Sequence, residues 1–178
     1  MTKADAGGRG LITLVLGGAR SGKSRYAEWL ITTYSQPWIY VATAEARDEE
    51  MAERIAAHQA RRDAGWQTIE APHDLADALH AAPSGAAVLI DCLTLWLSNL
   101  MERGTDIKTQ ITKLQEALAE RVGATVIVSN EVGLGIVPDN ALVRRFRDLQ
   151  GNLNQRLATQ ASRVIIMIAG IAVAVKSP

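Results

Sequence analysis

A glycine-rich segment, GGARSGKS, constrains the fold of this chain more than any other feature. An apolar run at residues 11–16 precedes it and predicts a β-strand, and residues 23–34 after it predict a helix. A strand, a loop and a helix in this order, with the spacing glycine, four residues, glycine, lysine and serine, are typical of loops that bind nucleotide phosphates. The fixed positions of that pattern are Gly17, Gly22, Lys23 and Ser24.

Each residue type in this loop has a physical reason to be there. Glycine lets the backbone turn its N–H groups toward phosphate oxygens, because no Cβ stands in the way. The following helix adds the positive end of its dipole. We expect Lys23 to reach the β- and γ-phosphates and the Ser24 hydroxyl to bind a magnesium ion that bridges them. The alternative is a glycine-rich turn with a surface lysine, which the flanking strand and helix make a poor explanation.

Length and charge narrow the class of protein. The chain has 178 residues, 48% of them apolar, which suits one domain with a substantial core. Acidic and basic residues balance at 19 each, for a formal net charge of zero. Nothing therefore indicates general binding to nucleic acid or to a membrane surface, and we expect a small ligand.

The apolar stretches and the cysteine content bear on location. The longest apolar stretch, residues 164–175, is interrupted by Gly170 and is too short to span a bilayer. Residues 1–10 lack the apolar core of a signal peptide and are expected to form a disordered extension before a single domain at residues 11–178. The single cysteine, Cys92, excludes an internal disulfide. Together these features predict a cytoplasmic protein without a membrane span.

Apolar, β-rich runs alternate with helical segments along the chain. Such alternation is typical of βαβ units, which build a mainly parallel, twisted sheet with helices on both faces. Residues 171–176 follow Gly170 and are expected to double back as an antiparallel edge strand. The other predicted strands cover residues 11–16, 38–42, 66–71, 86–91, 124–129 and 164–169. The predicted helices cover residues 23–34, 47–62, 73–80, 93–101, 105–122 and 140–160.

An aspartate ends one of these apolar runs, at a place where ligands of parallel sheets bind. Asp91 follows AVLI, and phosphate-loop proteins hold magnesium with an acidic residue at such a strand end, directly or through water. We therefore predict that Ser24 and Asp91 together serve a magnesium ion. An aspartate that caps the next helix explains the same pattern, and the two roles are compatible. Polar residues and glycines at 43–45 and 130–135 are predicted at the same edge, where they shape a pocket or only form turns.

His58 lies in a predicted helix among arginines. At 100° per residue it shares a face with Ile55 and Arg62, and Arg61 lies beside that face. Guanidinium groups disfavour protonation of a neighbouring imidazole and need anionic partners, which a phosphate would supply. A histidine that only packs in the core is the alternative, and the residues alone leave both possibilities open.

Together the motifs resemble a known family. The blocks GGARSGKSRYAE, YVATAEARDEEMAERIAAHQARR, LIDCLTLWLSNL, SNEVGLGIVPDN and RRFRDLQGNLNQRLA occur in the family's order and cover nearly the whole chain from residue 11 to 176. On these blocks the sequence resembles the bifunctional adenosylcobinamide kinase/adenosylcobinamide-phosphate guanylyltransferases of cobalamin biosynthesis. The block SNEVGLGIVP is particularly distinctive. The chain departs from the family pattern in its N-terminal tail and in GIAVAVK, and neither departure touches the expected chemistry.

The resemblance implies a two-step reaction on a RecA-like P-loop fold. The hydroxyl of the aminopropanol arm of adenosylcobinamide takes the γ-phosphate of ATP or GTP, and GMP from GTP is then transferred to that phosphate while pyrophosphate leaves. The second step goes through a guanylylated histidine, which the motif RIAAHQARR places at His58. A homotrimer is the assembly that the resemblance implies. The implied nucleotide contacts are Gly17, Gly18, Ala19, Arg20, Ser21, Gly22, Lys23, Ser24, Ala42, Thr43, Ala44, Gln59, Ala60, Arg61, Arg62, Glu70 and Asp91.

Two other functions stay compatible with the phosphate loop. One is a P-loop kinase of small molecules, in which His58 only packs or contacts phosphate. The other is a nucleotide-dependent, RecA-like switch that changes shape without modifying a small molecule. For a kinase step, positioning and charge neutralisation supply most of the catalysis, and either Glu131 or Asp91 would be the assisting base.

Overall fold

The computed structural model describes residues 10–177. The predicted disordered extension therefore lies outside the described residues, except for Gly10, whose N–H donates to the carbonyl of Arg121. In chain order the elements are β1 (Ile12–Gly17), α1 (Lys23–Ile31), β2 (Trp38–Ala42), α2 (Glu49–Ala60), β3 (Trp66–Glu70), α3 (Leu75–Ala81), β4 (Ala87–Asp91), α4 (Leu93–Glu102), α5 (Ile107–Glu120), β5 (Thr125–Val128), α6 (Ala141–Gln160), β6 (Arg163–Ile168) and β7 (Ile171–Lys176).

The seven strands form one sheet in the order β3-β2-β4-β5-β1-β6-β7. All neighbouring pairs are parallel except β6 and β7, which run antiparallel. The prediction of a mainly parallel sheet with an antiparallel C-terminal edge strand is therefore confirmed. One strand, β5, separates the strand before the phosphate loop from the strand that ends at Asp91.

Both faces of the sheet are covered, because alternate residues of the strands point to opposite sides. Leu14 belongs to a large apolar cluster that α3, α4, α5 and α6 complete, whereas the adjacent Val15 packs in a second cluster with α1. This is the two-sided burial that near-continuous apolar strands require. Helix α2 differs from the others because none of its residues is buried.

The predicted elements agree with the observed ones to within a few residues at their ends. Helix α2 begins at Glu49, two residues after its predicted start, because the Asp48 carboxylate accepts the N–H of Met51 and caps the helix there. Helix α1 ends at Ile31 instead of residue 34. Within residues 10–177 no helix has the length and apolar character that crossing a membrane requires.

Candidate active site

The phosphate loop connects β1 to α1 and has the backbone conformation that its glycines permit. Gly22 is the N-cap of α1 in the left-handed region, with φ of 94°. A Cβ on Gly17 would lie 2.6 Å from the carbonyl oxygen of Met167 on β6. Both positions therefore require glycine.

Lys23 lies within this loop and is buried, with 7% of its surface exposed. Its Nζ donates a hydrogen bond to the carbonyl of Gly18 at 2.6 Å. Burial lowers the pKa of Lys23, while the nearby Cys92 and Asp91 raise it. The ammonium group is thus held at the first glycines of the loop, where the phosphate-loop pattern predicts a lysine that contacts the β- and γ-phosphates.

Asp91 is the last residue of β4 and lies at the same edge of the sheet as the phosphate loop. Its Oδ2 accepts a hydrogen bond from the Tyr40 hydroxyl at 3.1 Å. Burial raises the pKa of Asp91, whereas His58 and the hydroxyls of Ser24 and Tyr40 lower it. The N-cap of α4 is Cys92, without a side-chain capping bond, so Asp91 does not cap this helix.

His58 lies in the last turn of α2 and faces two carboxylates. Its Nδ1 is 3.6 Å from Glu28 Oε1 and 3.8 Å from Asp91 Oδ2. The Arg61 guanidinium is 2.9 Å from the same ring nitrogen and also binds Glu28 at 3.0 Å. In a neutral ring, a bond accepted at Nδ1 from Arg61 places the proton on Nε2. The imidazole therefore lies at the carboxyl edge of the sheet, close to the aspartate that the sequence assigns to magnesium.

Arg62 follows Arg61 and stacks on an aromatic ring. Its guanidinium carbon is 3.7 Å from the centre of the Tyr40 ring. Within the described part of the chain, its buried Nη1 has no hydrogen-bond partner. A fixed cation with an unused donor suits an anionic ligand. Tyr40 therefore serves two of the predicted site residues, since it also bonds to Asp91.

The end of β2 links to the end of β4. The Thr43 hydroxyl accepts from the N–H of Cys92 at 2.7 Å and bonds to its carbonyl at 2.8 Å. Thr43 is fully buried, and Asn99 Nδ2 donates to its carbonyl at 2.9 Å. The predicted contacts at Ala42 and Ala44 flank this junction. Their backbone therefore lies at the end of β2, between the ends of β3 and β4.

Three of the remaining predicted contacts, Gln59, Arg62 and Glu70, line a cleft at the β3 side of the sheet. Register aligns Ala42 with both Glu70 and Asp91, so these residues lie in one row across three strand ends. Four strand spacings, about 19 Å, separate the end of β3 from the end of β1. Ala60 is exposed at the end of α2. The cleft has a volume of about 440 Å³ and is lined by Gln59, Arg62, Asp63, Trp66, Thr68 and Glu70.

Two residues of this site were not found from the sequence, namely Glu28 and Tyr40. Glu28 follows Ser24 by four positions on α1, and this spacing places it on the same helix face as the predicted magnesium ligand. Tyr40 is the polar member of the otherwise apolar β2, and a buried tyrosine hydroxyl needs a partner. The sequence contains both features, but it does not show that Glu28 contacts His58 and Arg61 or that Tyr40 bonds to Asp91.

The site offers few metal ligands of its own. Residues 10–177 contain no group of three or more histidine, cysteine, aspartate or glutamate side chains with the geometry of a metal site. The Ser24 hydroxyl and the Asp91 carboxylate lie together. Such a partial set fits magnesium, which keeps several waters and takes further oxygens from substrate phosphates.

Comparisons with known proteins agree with the sequence motifs. The model of the family described as cobinamide kinase / cobinamide phosphate guanyltransferase matches residues 13–175. The chain is 46% identical, over 166 residues, to the bifunctional adenosylcobalamin biosynthesis protein CobP of Pseudomonas aeruginosa, with 92% of this chain and 96% of that protein covered. It is 40% identical to the bifunctional adenosylcobalamin biosynthesis protein CobU of Escherichia coli K12, with 93% of this chain and all of that protein covered.

Solved structures agree on the fold at much lower identity. A protein from Pyrococcus horikoshii OT3 matches with a TM-score of 0.58 and 9% identity, covering 96% of this chain and 87% of that chain. An ATPase of a bacterial type III secretion system matches with a TM-score of 0.55 and 10% identity, covering 92% of this chain and 57% of that chain. At these identities the likeness concerns the P-loop fold alone.

Proposed function

Because the chain belongs to the cobinamide kinase / cobinamide phosphate guanyltransferase family, we propose that His58 is the nucleophile of its guanylyl-transfer step and that the phosphate loop binds the nucleotide in both steps. The protein is a bifunctional enzyme of adenosylcobalamin biosynthesis, a cobinamide kinase and a cobinamide phosphate guanylyltransferase. A P-loop kinase without guanylyl transfer and a nucleotide-dependent switch are therefore set aside.

The position of the His58 ring is the observation that carries the proposal. It lies 3.8 Å from Asp91, at the edge where the phosphate loop also opens. A ring nitrogen attacks the α-phosphorus of GTP, and the bond from that phosphorus to the bridging oxygen breaks. Pyrophosphate leaves with the electron pair, and a phosphoramidate remains. A phosphate oxygen of adenosylcobinamide phosphate then attacks the same phosphorus and the P–N bond breaks, so two easier transfers replace one difficult transfer.

The phosphate loop stabilises the negative charge that develops on the phosphates. Lys23 and the N–H groups at the start of α1 stabilise the leaving pyrophosphate, and in the kinase step they stabilise the transferring γ-phosphoryl group. Asp91 is buried and accepts a hydrogen bond from Tyr40, while Glu131 accepts one from the N–H of Gly133. Neither arrangement favours one carboxylate over the other as the assisting base, and a kinase step of this kind needs no strong base.

We place the base of GTP in the cleft that Arg62 and Glu70 border. The separation of about 19 Å between the ends of β1 and β3 suits a nucleotide that lies along the strand ends. Guanine presents N–H donors, and Glu70 is an exposed acceptor at the end of β3. Arg61 contacts His58, and we therefore assign it to the phosphate side of this path. We propose that ATP or GTP binds along the same path as the phosphoryl donor in the first step.

Ser24 and Asp91 are the residues that would hold a magnesium ion. Their hydroxyl and carboxylate fit the oxygen ligands that magnesium prefers. Bound with the nucleotide, such an ion would supply positive charge that offsets the negative charge of the phosphates. A carboxylate whose pKa is raised by burial also gains from such a cation, because the charge favours its ionised form.

A homotrimer and a cytoplasmic location complete the proposal. Exposed apolar side chains on the outer edge of the sheet, Ile168, Ile171 and Val175, support association with further copies. Sedimentation equilibrium tests this directly, and a monomer at micromolar concentration would refute the trimer. The nucleotide substrates and the single cysteine support the cytoplasm.

Labelling with GTP tests the nucleophile. We expect label from the α-phosphate of GTP to become attached to the protein in an acid-labile, alkali-stable form, and to be lost in His58→Asn by roughly 10³-fold or more. His80→Asn is the matched control, because His80 also lies in the last turn of a helix and pairs with Glu120 at the surface. Phosphorylation of adenosylcobinamide is expected to persist in His58→Asn. Unchanged labelling of that variant would refute the assignment.

A further inference from the structure

A cluster of three buried polar side chains lies behind the end of β5, away from the residues assigned above. Ser129 and Gln150 are fully buried, and Asn154 is 5% exposed. Ser129 follows β5, and the two amides lie one turn apart on α6. We call these three residues the α6 amide cluster. Burial of an amide costs free energy unless its polar atoms are hydrogen-bonded.

The cluster is bonded internally and to the backbone. Gln150 Nε2 donates to Ser129 Oγ at 2.8 Å and to Asn154 Oδ1 at 3.1 Å. The Ser129 hydroxyl donates to Asn154 Oδ1 at 2.7 Å. Asn154 Nδ2 then donates to the carbonyl of Asn130 at 3.0 Å. Each amide therefore orients the next, and the chain of bonds ends on the backbone of the residue after Ser129.

This backbone is held from two further elements. The N–H of Asn130 donates to the Thr94 hydroxyl at the start of α4, at 2.8 Å. The N–H of Glu131 donates to the carbonyl of Gly17 in the phosphate loop, at 3.0 Å. The two residues after Ser129 are thus fixed by α4, α6 and the phosphate loop together, while their side chains remain partly exposed at the site.

Asn130 and Glu131 are held from the face of the sheet that α4 and α6 cover, whereas His58 contacts Glu28 of α1, which covers the other face. Lys23 Nζ, the group that we expect to contact the β- and γ-phosphates, lies at Gly18. Gly18 adjoins the residue that Glu131 binds. Asp91 lies between the two groups, since it is near both His58 and Lys23. The hydrogen bonds of the α6 amide cluster therefore reach the residues beside the loop glycines, on the face of the sheet away from α1.

We propose that the α6 amide cluster positions Asn130 and Glu131 for phosphoryl transfer from the γ-phosphate and has little effect on guanylylation of His58. The inference rests on the proposed function, because it divides the two reactions between two sides of one site. The cluster residues are positioning residues, since they act through the backbone of Asn130. A purely structural cluster would affect both reactions through the stability of the fold.

Isosteric substitution of Asn154 tests the proposal. Asn154→Asp replaces the donor to the Asn130 carbonyl by an acceptor and keeps the volume of the side chain. We expect kcat for phosphorylation of adenosylcobinamide to fall roughly 10- to 100-fold, because small misplacements of reacting groups have effects of this size. KM for the nucleotide and the rate of His58 labelling from α-labelled GTP are expected to stay within about threefold.

Helix α6 offers a matched control. Gln160 also donates through Nε2 to a neighbouring element, the carbonyl of Gln115, and like Gln150 it has a buried Oε1 without a partner in residues 10–177. We therefore compare Gln150→Met with Gln160→Met, and assay each variant at the same number of degrees below its own melting temperature. Only Gln150→Met is expected to lose kinase activity. If Asn154→Asp does not fold, Ser129→Ala, which removes a single hydroxyl, takes its place.

The outcomes separate the inference from the proposed function. If the unmodified enzyme neither phosphorylates adenosylcobinamide nor becomes labelled at His58, the proposed function is wrong. If it does both, the folded Asn154 and Gln150 variants test the positioning role. That role is overturned if the rates of the two reactions fall equally, and also if neither rate falls. A selective loss of phosphorylation supports it.

Discussion

Two parts of the site lie at the same edge of the sheet but are fixed in different ways. The residues after β5 are held by backbone hydrogen bonds to α4, α6 and the phosphate loop. Helix α2, which carries His58, has no buried residue. Polar contacts at its two ends attach it: Arg47 binds Asn99 and Glu102 before the helix, and Arg61 binds Glu28 after it.

The difference follows from the energies of the two kinds of contact. An exposed ion pair contributes about 0–1 kcal/mol, whereas burial of one large apolar side chain contributes about 1.5–3 kcal/mol. The scaffold of the phosphate loop therefore has the stability of the core, and the helix with the proposed nucleophile has little stability of its own. If both proposals hold, the enzyme combines a rigid anchor for the phosphates with a weakly attached nucleophile.

Hydrogen exchange gives the largest expected contrast. Helices α2 and α5 have similar lengths, but α5 buries five residues and α2 buries none. We expect amides of α2 to exchange at least roughly 10³-fold faster than those of α5, which corresponds to a local opening free energy lower by about 4 kcal/mol. Mass spectrometry of peptides from the unliganded enzyme measures this. Equal protection of the two helices would show that α2 is as stable as α5.

Substitution of the loop lysine tests the shared anchor. Lys23→Met removes the ammonium group and keeps an apolar chain of similar length in a buried place. We expect kcat/KM of both reactions to fall roughly 10²- to 10³-fold, since the same cation serves both. Lys113→Met, at an exposed position of α5, is the control and should change neither. A loss confined to one reaction would contradict a common phosphate site.

Truncation of an apolar side chain should destabilise the protein more in the core than in α2. Leu97 on α4 is fully buried, and Ile55 on α2 is only partly buried. We expect Leu97→Ala to lower the free energy of unfolding by about 2–5 kcal/mol. Ile55→Ala is expected to lower it by less than about 1 kcal/mol. Urea denaturation monitored by circular dichroism distinguishes the two, and similar losses would place α2 in the cooperative core.

The smallest effect concerns the pH dependence of the Glu28 contact. Burial alone raises the pKa of Glu28, but bonds from His58 and Arg61 outweigh it, so the pKa lies below its ordinary value of 4.5. The contact therefore stabilises the fold above pH 4.5, and this contribution is lost as the pH falls through the folded-state pKa.

Glu28→Gln is expected to make the free energy of unfolding depend less on pH below pH 5, as measured by urea denaturation at successive pH values. Glu116→Gln, at an exposed position of α5, provides the control. Identical pH profiles of Glu28→Gln and the unmodified protein would show that the contact contributes nothing.

Much of the fold could be predicted because its signals are local. The apolar runs, the glycine spacing before Lys23 and the Asp91 strand end depend on neighbouring residues, and the structure places them as expected. The prediction that His58 shares a helix face with Ile55 and Arg62 also follows from helical periodicity. Its chemical role was not decided by periodicity, and came from resemblance to a family.

The sequence by itself determined the strands, the helices and the phosphate loop, because backbone propensity and hydrophobic period act over a few residues. Only the tertiary structure decided that Tyr40 bonds to Asp91, that Glu28 and Arg61 meet at His58, and that amides of α6 hold the backbone after β5. These contacts join residues up to 51 positions apart. The order of strands in the sheet brings them together, and no local pattern encodes that order.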